Sequence, residues 1–416
     1  MRVAVVDGYS SGRYLAQELA SRGAECIHVR SRPRFHPYLS HTFQPADYVT
    51  DLGYGPDSGA VARKLTELGV TRIAPGTETG VMAADELAHR MGIPGNDYGL
   101  SEARHDKYAM TVALAAAGVA APRSAVVGTP ADAVAWYRRS GLDAVVVKPR
   151  ASAASDQVWL CDDETRVAAA CAAVLGSTTT FLEPNRYAVI QEQLAGPEYY
   201  TNTVTVDGTH VVVETWRYTK QRDPDGRPLF DFEEPADPDA AQTRQVEEYA
   251  RRALTALGVR TGAAHSEIVV TARGPVLIDP GVRLGGGVLP WVTASFLGHS
   301  HAGLAAAGLV APDEIRALAA RPPARWNRPI RYVSLINRTP GVAASLDWAQ
   351  RLTALPTVIA LATGVRHGDR VPVTTDLLSS PGFAYLSAPD RHAVEADYRT
   401  IRAWEGRALY TEAPAA

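Results

Sequence analysis

Ala144-Val145-Val146-Val147-Lys148-Pro149-Arg150-Ala151-Ser152-Ala153-Ala154-Ser155 is the stretch on which the fold turns. The β-branched run reads as a buried strand. It delivers a lysine directly to a loop of small residues. That lysine stands out because the chain has 42 Lys+Arg residues, and the lysines among them are Lys64, Lys107, Lys148 and Lys220 alone. The abundance of Ala and Arg points to a coding bias toward arginine, which makes each surviving lysine a candidate for a position that arginine does not fill. A compact ammonium meets a phosphate as a point charge, whereas a guanidinium is a planar fork. A strand, a lysine and a small-residue loop are a phosphate site in outline. The competing reading is a surface lysine at a strand end.

Upstream, strands alternate with helices, which argues for a parallel α/β sheet. Val3 to Val6 and Cys26 to Arg30 read as strands, with helical spacing from Arg13 to Arg22. Ser58 to Leu68 is a predicted helix, Arg72 to Pro75 a strand, and Gly80 to Met91 a helix. The turn Asp7 to Gly12 lacks GxGxxG, so a strand–turn–helix corner is preferred to a dinucleotide fingerprint. Asp106 to Ala117 is a predicted helix. Beyond Val158 the pattern becomes α+β: helix Glu164 to Leu175, strand Ala188 to Gln191, then a hairpin of Thr203 to Val206 and His210 to Val213 around Asp207-Gly208. Asp223 to Asp239, rich in Pro, Asp and Glu, reads as a mobile loop, and Thr243 to Leu257 as a helix. Pro312 to Pro329 leads into a C-terminal region. The expected division is 1–100 for an N-terminal α/β domain, 101–310 for a nucleotide-binding and catalytic domain, and 311–416 for a C-terminal α+β region.

Ile268 to Val270 and Val276 to Ile278 form a second predicted hairpin, with Glu267 before its first strand and Asp279 after its second. Carboxylates at related ends of paired strands can converge on one hard cation, and Mg²⁺ completes its shell with water and substrate phosphates. Arg283 comes next, suited to charge that develops in a transition state. Gly285-Gly286-Gly287 then allows close backbone approach. Either acid alone is ordinary surface chemistry; the acids, the arginine and the glycines together favour a site.

With these residues in order, the chain resembles the ATP-grasp superfamily, and within it the ATP-dependent carboxylate–amine (L-amino acid) ligases. The likeness covers residues 1 to 300 well and the remainder loosely. Gly76-Thr77-Glu78, Ala83 to Leu87 and Gly92 to Asn96 resemble the N-terminal (preATP-grasp) domain. Asp106-Lys107-Tyr108 and Val147-Lys148-Pro149 resemble the two nucleotide lysines, and Ser152 to Val158, with Ser155, the loop that closes over the triphosphate. Gln191 to Glu198 resembles the hinge. The likeness implies Glu198 for ribose, Gln191 or Glu192 for the adenine amino group, and backbone groups near Leu194. His265-Ser266-Glu267 and Asp279 to Arg283 resemble the paired metal acids and the catalytic arginine. Ala154 stands where glycine is usual, Asp279 where Glu is common, and Gly281 where an asparagine is often a third metal ligand.

The resemblance implies an ATP-dependent ligase using Mg²⁺ (or Mn²⁺) to join a carboxylate and an amine, both expected to be amino acids, through an acyl phosphate. Lys220 or Arg217 is expected at the terminal phosphate. Glu78, His265, Ser266, Gly286, Gly287 and Trp291 are expected around the substrates, and Arg328 and Arg331 are candidates for a substrate carboxylate. The alternatives are a purine-pathway or biotin-carboxylase-like ligase, and a non-catalytic ATP-binding protein.

The net charge of −3 gives no reason to expect a nucleic acid or membrane partner. Cys26, Cys161 and Cys171 lack CxxC spacing and read as buried thiols of a reducing compartment. No signal peptide or spanning segment is apparent. The expectation is a cytoplasmic enzyme with small-molecule partners, a homodimer being left open. His36, His41, His299 and His301 lack a third ligand and are read as structural.

Overall fold

The computed structural model describes residues 1–153, 156–222, 228–287 and 289–411. The chain divides into two compact units. The first holds residues 1–215 and 237–325, the second residues 216–236 and 326–416.

The first unit opens with a four-stranded parallel sheet in the order Thr50–Tyr54, Glu25–Arg30, Arg2–Val6, Val70–Pro75. Thr50–Tyr54 escapes the sequence reading because Asp51 and Gly53 break its apolar pattern. The strand–turn–helix corner is real. A Cβ at Gly12 would sit 2.6 Å from the Gly76 backbone, so the helix Gly12–Ser21 begins where only glycine fits. Helices Ser58–Glu67 and Val81–Met91 cover the core of Ile27, Val29, Leu65, Ile73 and Leu87.

Arg104, fully buried, ties this region to the end of the helix Ala241–Ala256. Its Nη2 lies 2.6 Å from Asp85 Oδ2 on the helix Val81–Met91, and its Nη1 donates to the Leu257 carbonyl at 2.8 Å. Removing one partner of such a pair costs roughly 3–5 kcal/mol, because the other charge stays buried.

Next comes an antiparallel sheet in the order Ser124–Val127, Ala188–Glu192, Val145–Pro149, Trp159–Cys161. Val145, Val147, Ala188 and Ile190 face helices Pro130–Ser140 and Glu164–Leu175 across one core. The unit's last sheet places Gly274–Asp279 beside Gly262–Thr271, then Glu198–Val206, then the start of Thr209–Arg222. The helix Ala241–Ala256 supports it, and so does His301–Val310, where His301 Nε2 meets the Thr203 carbonyl at 3.0 Å. That histidine is a core group, its basicity pushed down to about 3 by burial.

The second unit corrects one expectation. Pro228–Pro235, within the segment read as a loop, is a strand that pairs with Trp216 to Arg222 and with Ile330–Ser334. Its prolines and acids suggested a loop, yet the prolines sit only at its ends and Leu229 and Phe230 are buried. Residues 223–227 of the same segment lie outside the described residues. Gly382–Ser387, Val358–Thr363 and helices Asp347–Thr353 and Arg391–Glu405 complete this unit. Its core holds the pair Arg402 Nη2–Asp231 Oδ1 at 2.6 Å. Among the described residues no helix is long and apolar enough to cross a membrane, and all the cysteines are free and buried.

Candidate functional site

Lys148 is placed by strand parity. Val145 and Val147 point into the core, so Lys148 emerges on the other face, still only 6% exposed. Its ammonium has no ion pair with a described carboxylate. Burial, and then the nearby charge of Lys107, push its pKa down to about 8.

The same parity separates Gln191 from Glu192. Gln191 lies opposite Val146 and Glu192 opposite Val145. Directly opposed residues share a sheet face, so Gln191 joins the face of Lys148. Its Nε2 is buried without a hydrogen-bond partner among the described residues. Glu192 faces the other way and is taken up by Arg273, with Arg123 at 3.7 Å. The geometry thus leaves the Gln191 amide available to a base, while the Glu192 carboxylate is occupied. Leu194 sits half-buried in the hinge. Gly196 closes it with φ +149°, and a Cβ there would collide with the Val270 carbonyl at 1.9 Å. Glu198 starts the next strand, and its charge is felt at Lys148.

Lys107 is the first residue of the helix Lys107–Ala116, whose N-cap Asp106 accepts from Tyr108 and Ala109 backbone N–H groups. Arg150 Nε also binds Asp106 at 2.6 Å, so the helix start is tied to the strand that carries Lys148. Lys107 Nζ reaches Asp279 Oδ2 at 3.0 Å and donates to the Ser152 carbonyl at 3.2 Å. Burial works against its charge, but Asp279, Glu78 and Glu267 outweigh it and hold the pKa above the ordinary lysine value.

Glu267 and Asp279 are register partners at a bulge in their hairpin. Both are half-buried, and both present carboxylate oxygens on one sheet face. Among the described residues no group of three or more His, Cys, Asp or Glu side chains gathers to hold a metal. The donor set nonetheless fits Mg²⁺, which binds through one or two carboxylates and takes its other ligands from water and phosphate. Gly281 leaves no room for a side chain. A Cβ there would approach the His265 carbonyl to 2.6 Å, at φ +37°.

Behind the acids runs a row of cross-strand contacts that sequence reasoning missed. Asn202 donates through Nδ2 to Glu214 Oε1 at 2.9 Å, and its Oδ1 faces His265 Nδ1 at 2.8 Å. A carboxylate only accepts, so the Asn202 amide has one orientation and His265 Nδ1 must carry the proton. His265 Nε2 then lies 3.6 Å from Glu267 Oε1. The ring also bars any side chain at Gly285, whose Cβ would stand 2.9 Å from Nδ1. Gly286 has open space around it. Ser266 points to the opposite face of the strand, fully buried, and does not join His265 and Glu267.

Glu78 comes from the N-terminal sheet, just after the strand Val70–Pro75. Its Oε2 is 3.2 Å from Arg283 Nε and its Oε1 is 3.5 Å from His105 Nδ1. Burial favours the neutral acid, yet His105, Arg283 and Lys107 hold its pKa below the ordinary value. Arg283 Nη1 also donates to the Leu284 carbonyl at 3.0 Å. Glu78, Arg283, Lys107 and the acid pair therefore form one charged cluster beside Lys148.

Ser152 is described and bonds Asp156 at 2.7 Å, whereas Ser155 falls outside the described residues. Gly287 has φ +73°. Trp291 is 53% exposed on the helix Pro290–Leu297. Lys220 belongs to the second unit, where its Nζ lies 4.3 Å from the Phe230 ring centroid; Arg217, in the same unit, is exposed. Arg331 is engaged within that unit by Glu234 at 2.8 Å and Glu395 at 2.7 Å.

No known family profile matches the chain. Dapdiamide A synthase of Enterobacter agglomerans is 28% identical over 393 residues, which is 91% of this chain and 90% of that protein. The crystal structure of an L-amino acid ligase from Bacillus licheniformis superposes with a TM-score of 0.73 at 18% identity, covering 97% of both chains. A carboxyaminoimidazole ribonucleotide synthase from Aspergillus clavatus, solved with ATP, gives 0.70 at 15% identity over 98% of both. With this likeness running nearly end to end, the fold that brings the two lysines to the two carboxylates is the ATP-grasp fold.

Proposed function

We propose that the protein is an ATP-dependent ligase that joins a carboxylate to an amine through an acyl phosphate and releases ADP and phosphate. The observation that carries this reading is the position of Lys107, whose ammonium touches both Asp279 and the Ser152 carbonyl. One cation thereby links the carboxylate pair to the phosphate loop. The likeness to dapdiamide A synthase and to an L-amino acid ligase supports amino acids as substrates.

In this reading Lys148 and Lys107 meet the phosphates of ATP, and Gln191 meets the adenine edge. Mg²⁺, held by Glu267 and Asp279, would supply positive charge at the phosphate oxygens. A substrate carboxylate oxygen attacks the γ-phosphorus, and the bond from that phosphorus to ADP breaks. The amine then attacks the acyl carbon, the C–O bond to phosphate breaks, and the proton of the new C–N centre passes to solvent or phosphate. Arg283 neutralises the acyl phosphate and the tetrahedral oxyanion. Glu78 holds Arg283 in place, and positioning with charge neutralisation supplies most of the rate.

The test is an ATP-consumption screen over pairs of amino acids, with product mass determination. ADP and an amide are expected, and hydroxylamine should trap the activated acid as a hydroxamate when the amine is omitted. AMP would mean adenylation and reject the mechanism. Including bicarbonate and aminoimidazole ribonucleotide in the screen separates the purine-type reaction, which the structural likeness to carboxyaminoimidazole ribonucleotide synthases keeps in view.

A further inference from the structure

The segment Thr179 to Glu183 belongs to no predicted motif, yet it contacts Ser152 and Ala153 on one side and Arg32 and His105 on the other. It is a tight turn: Thr179 N–H donates to the Glu183 carbonyl at 2.8 Å, and Leu182 takes φ +63°. On one side Thr180 Oγ1 lies 3.0 Å from Ser152 Oγ and accepts from Ala153 N–H at 3.3 Å. On the other side Arg32 grips the turn from the N-terminal sheet. Its Nη1 donates to the Phe181 carbonyl at 2.8 Å and to Glu183 Oε1 at 3.0 Å.

Between these ends the buried Phe181 ring stacks on His105, with centroids 5.7 Å apart and planes 26° from parallel. His105 faces Glu78, and Glu78 faces Arg283. The contacts thus run without a break from the loop that contains Ser152 to the arginine. Their polar links are incomplete. Arg32 Nε, His105 Nδ1 and Glu78 Oε2 are buried without a directed hydrogen bond among the described residues, although the ion-pair distances are short. A buried polar group left in that state is costly.

We propose that the Thr179–Glu183 turn is a positioning element that sets the phosphate loop and Arg283 relative to one another, with Arg32 as its clamp. The proposal rests on the reading that the Ser152 loop covers a triphosphate. It gives the N-terminal sheet a part in the chemistry: Arg32 holds the turn from one edge, and Glu78 receives it from another. A contiguous packed path of this kind can carry coupling between two parts of a site.

The test uses the full-length protein with Mg²⁺ and ADP. Thr180→Val is isosteric and deletes the hydroxyl that bonds Ser152 and Ala153. Hydrogen exchange should quicken in the peptide that contains Ser152 and also in the separate peptide that contains Arg283. ADP affinity should stay near the parent's, and kcat should fall on the order of 10- to 100-fold, as small misplacements do, with KM for ATP little changed. Arg32→Gln should show the same pattern, and the double variant should be no slower than the slower single, since both act through one turn. Exchange confined to the Ser152 peptide, or losses that multiply in the double variant, would overturn the proposal. If Arg32→Gln does not fold, Glu183→Gln at the exposed end of the same grip replaces it. Should the parent turn over no substrate pair, the ligase reading fails while the exchange experiment still decides the role of the turn.

Discussion

Lys148→Met should make the nucleotide-free protein more stable while it weakens nucleotide binding. The ammonium is nearly buried, and burial together with Lys107 lowers its pKa from 10.5 to about 8. At roughly 1.4 kcal/mol per pH unit, holding this charge costs the folded protein about 3 kcal/mol at pH 7. Methionine keeps the unbranched stem and needs no hydration. The sign comes from proton counting. Below pH 8 both folded and unfolded chains carry the proton, and the full penalty applies. From about 8 to 10.5 the folded state releases its proton first, so the penalty fades as pH rises. Equilibrium urea denaturation of parent and variant should therefore show a gain of about 3 kcal/mol at pH 7 that shrinks toward zero near pH 10.5. Titration calorimetry with ATP should show binding weakened by about ten- to a hundredfold, the worth of a lost charge-assisted contact. Equal or lower stability of the variant at pH 7, or a gain that persists unchanged at pH 10.5, would refute the reasoning.

The parent's own affinity for ATP should fall as pH rises through 8, because the triphosphate then has to recruit a proton to Lys148; calorimetry in buffers of different ionisation enthalpy would measure that uptake. Lys148→Arg and Lys107→Arg should both lose turnover, read as ADP release, whereas Lys64→Arg should be silent, since Lys64 meets Glu67 on the surface at 3.1 Å. Glu267→Gln and Asp279→Asn should each abolish Mg²⁺-dependent ligation with the melting curve retained, and a chelator should do the same to the parent. Arg283→Ala should bind ATP nearly as the parent does in a filter assay while its rate falls about 10²–10³-fold, typical of one lost preorganised donor.

What could be read from the chain depended on whether a residue's position is set by its own neighbours. Lys148 is legible because the apolar run from Ala144 to Val147 makes the strand and fixes its start. Glu267 and Asp279 are legible because a hairpin's two strands lie close in sequence, and their register partnership is set by a short turn. The row Glu214–Asn202–His265 was not legible. Its histidine meets the asparagine only through the pairing of strands about 60 residues apart, and nothing near Asn202 announces it. The choice between Gln191 and Glu192 stayed open for the same reason: it rests on which of them opposes Val146 across the sheet. Pro228–Pro235 was hidden by its composition, since its acids looked solvated and Ile330–Ser334 lies far along the chain. Ser266 was drawn in by its neighbours in the motif, although simple alternation along a strand turns it to the other face.

The two lysines show why one positive charge would not serve the site as two do. Lys107 has carboxylates around it, and they keep it protonated whatever the loop does. It can therefore hold Ser152 and Asp279 together before any nucleotide arrives. Lys148 makes no ion pair with a described carboxylate, and burial and the repulsion of Lys107 outweigh the more distant Asp279, Glu267 and Glu198, so its charge is a net cost in the nucleotide-free protein. In the proposed function a triphosphate relieves that cost, and the relief adds to the binding of the anion. The same ammonium paired with a buried acid would have been stabler and of less use, because the phosphate would first have to displace the acid. The stability lost at Lys148 and the affinity expected there are thus one quantity seen from two sides. Pairing Lys148 artificially, by Val189→Glu on the directly opposite strand position, should raise the lysine's pKa and weaken ATP binding together. A variant in which the pKa rises but ATP binds as tightly as in the parent would show that Lys148 does not meet the phosphates.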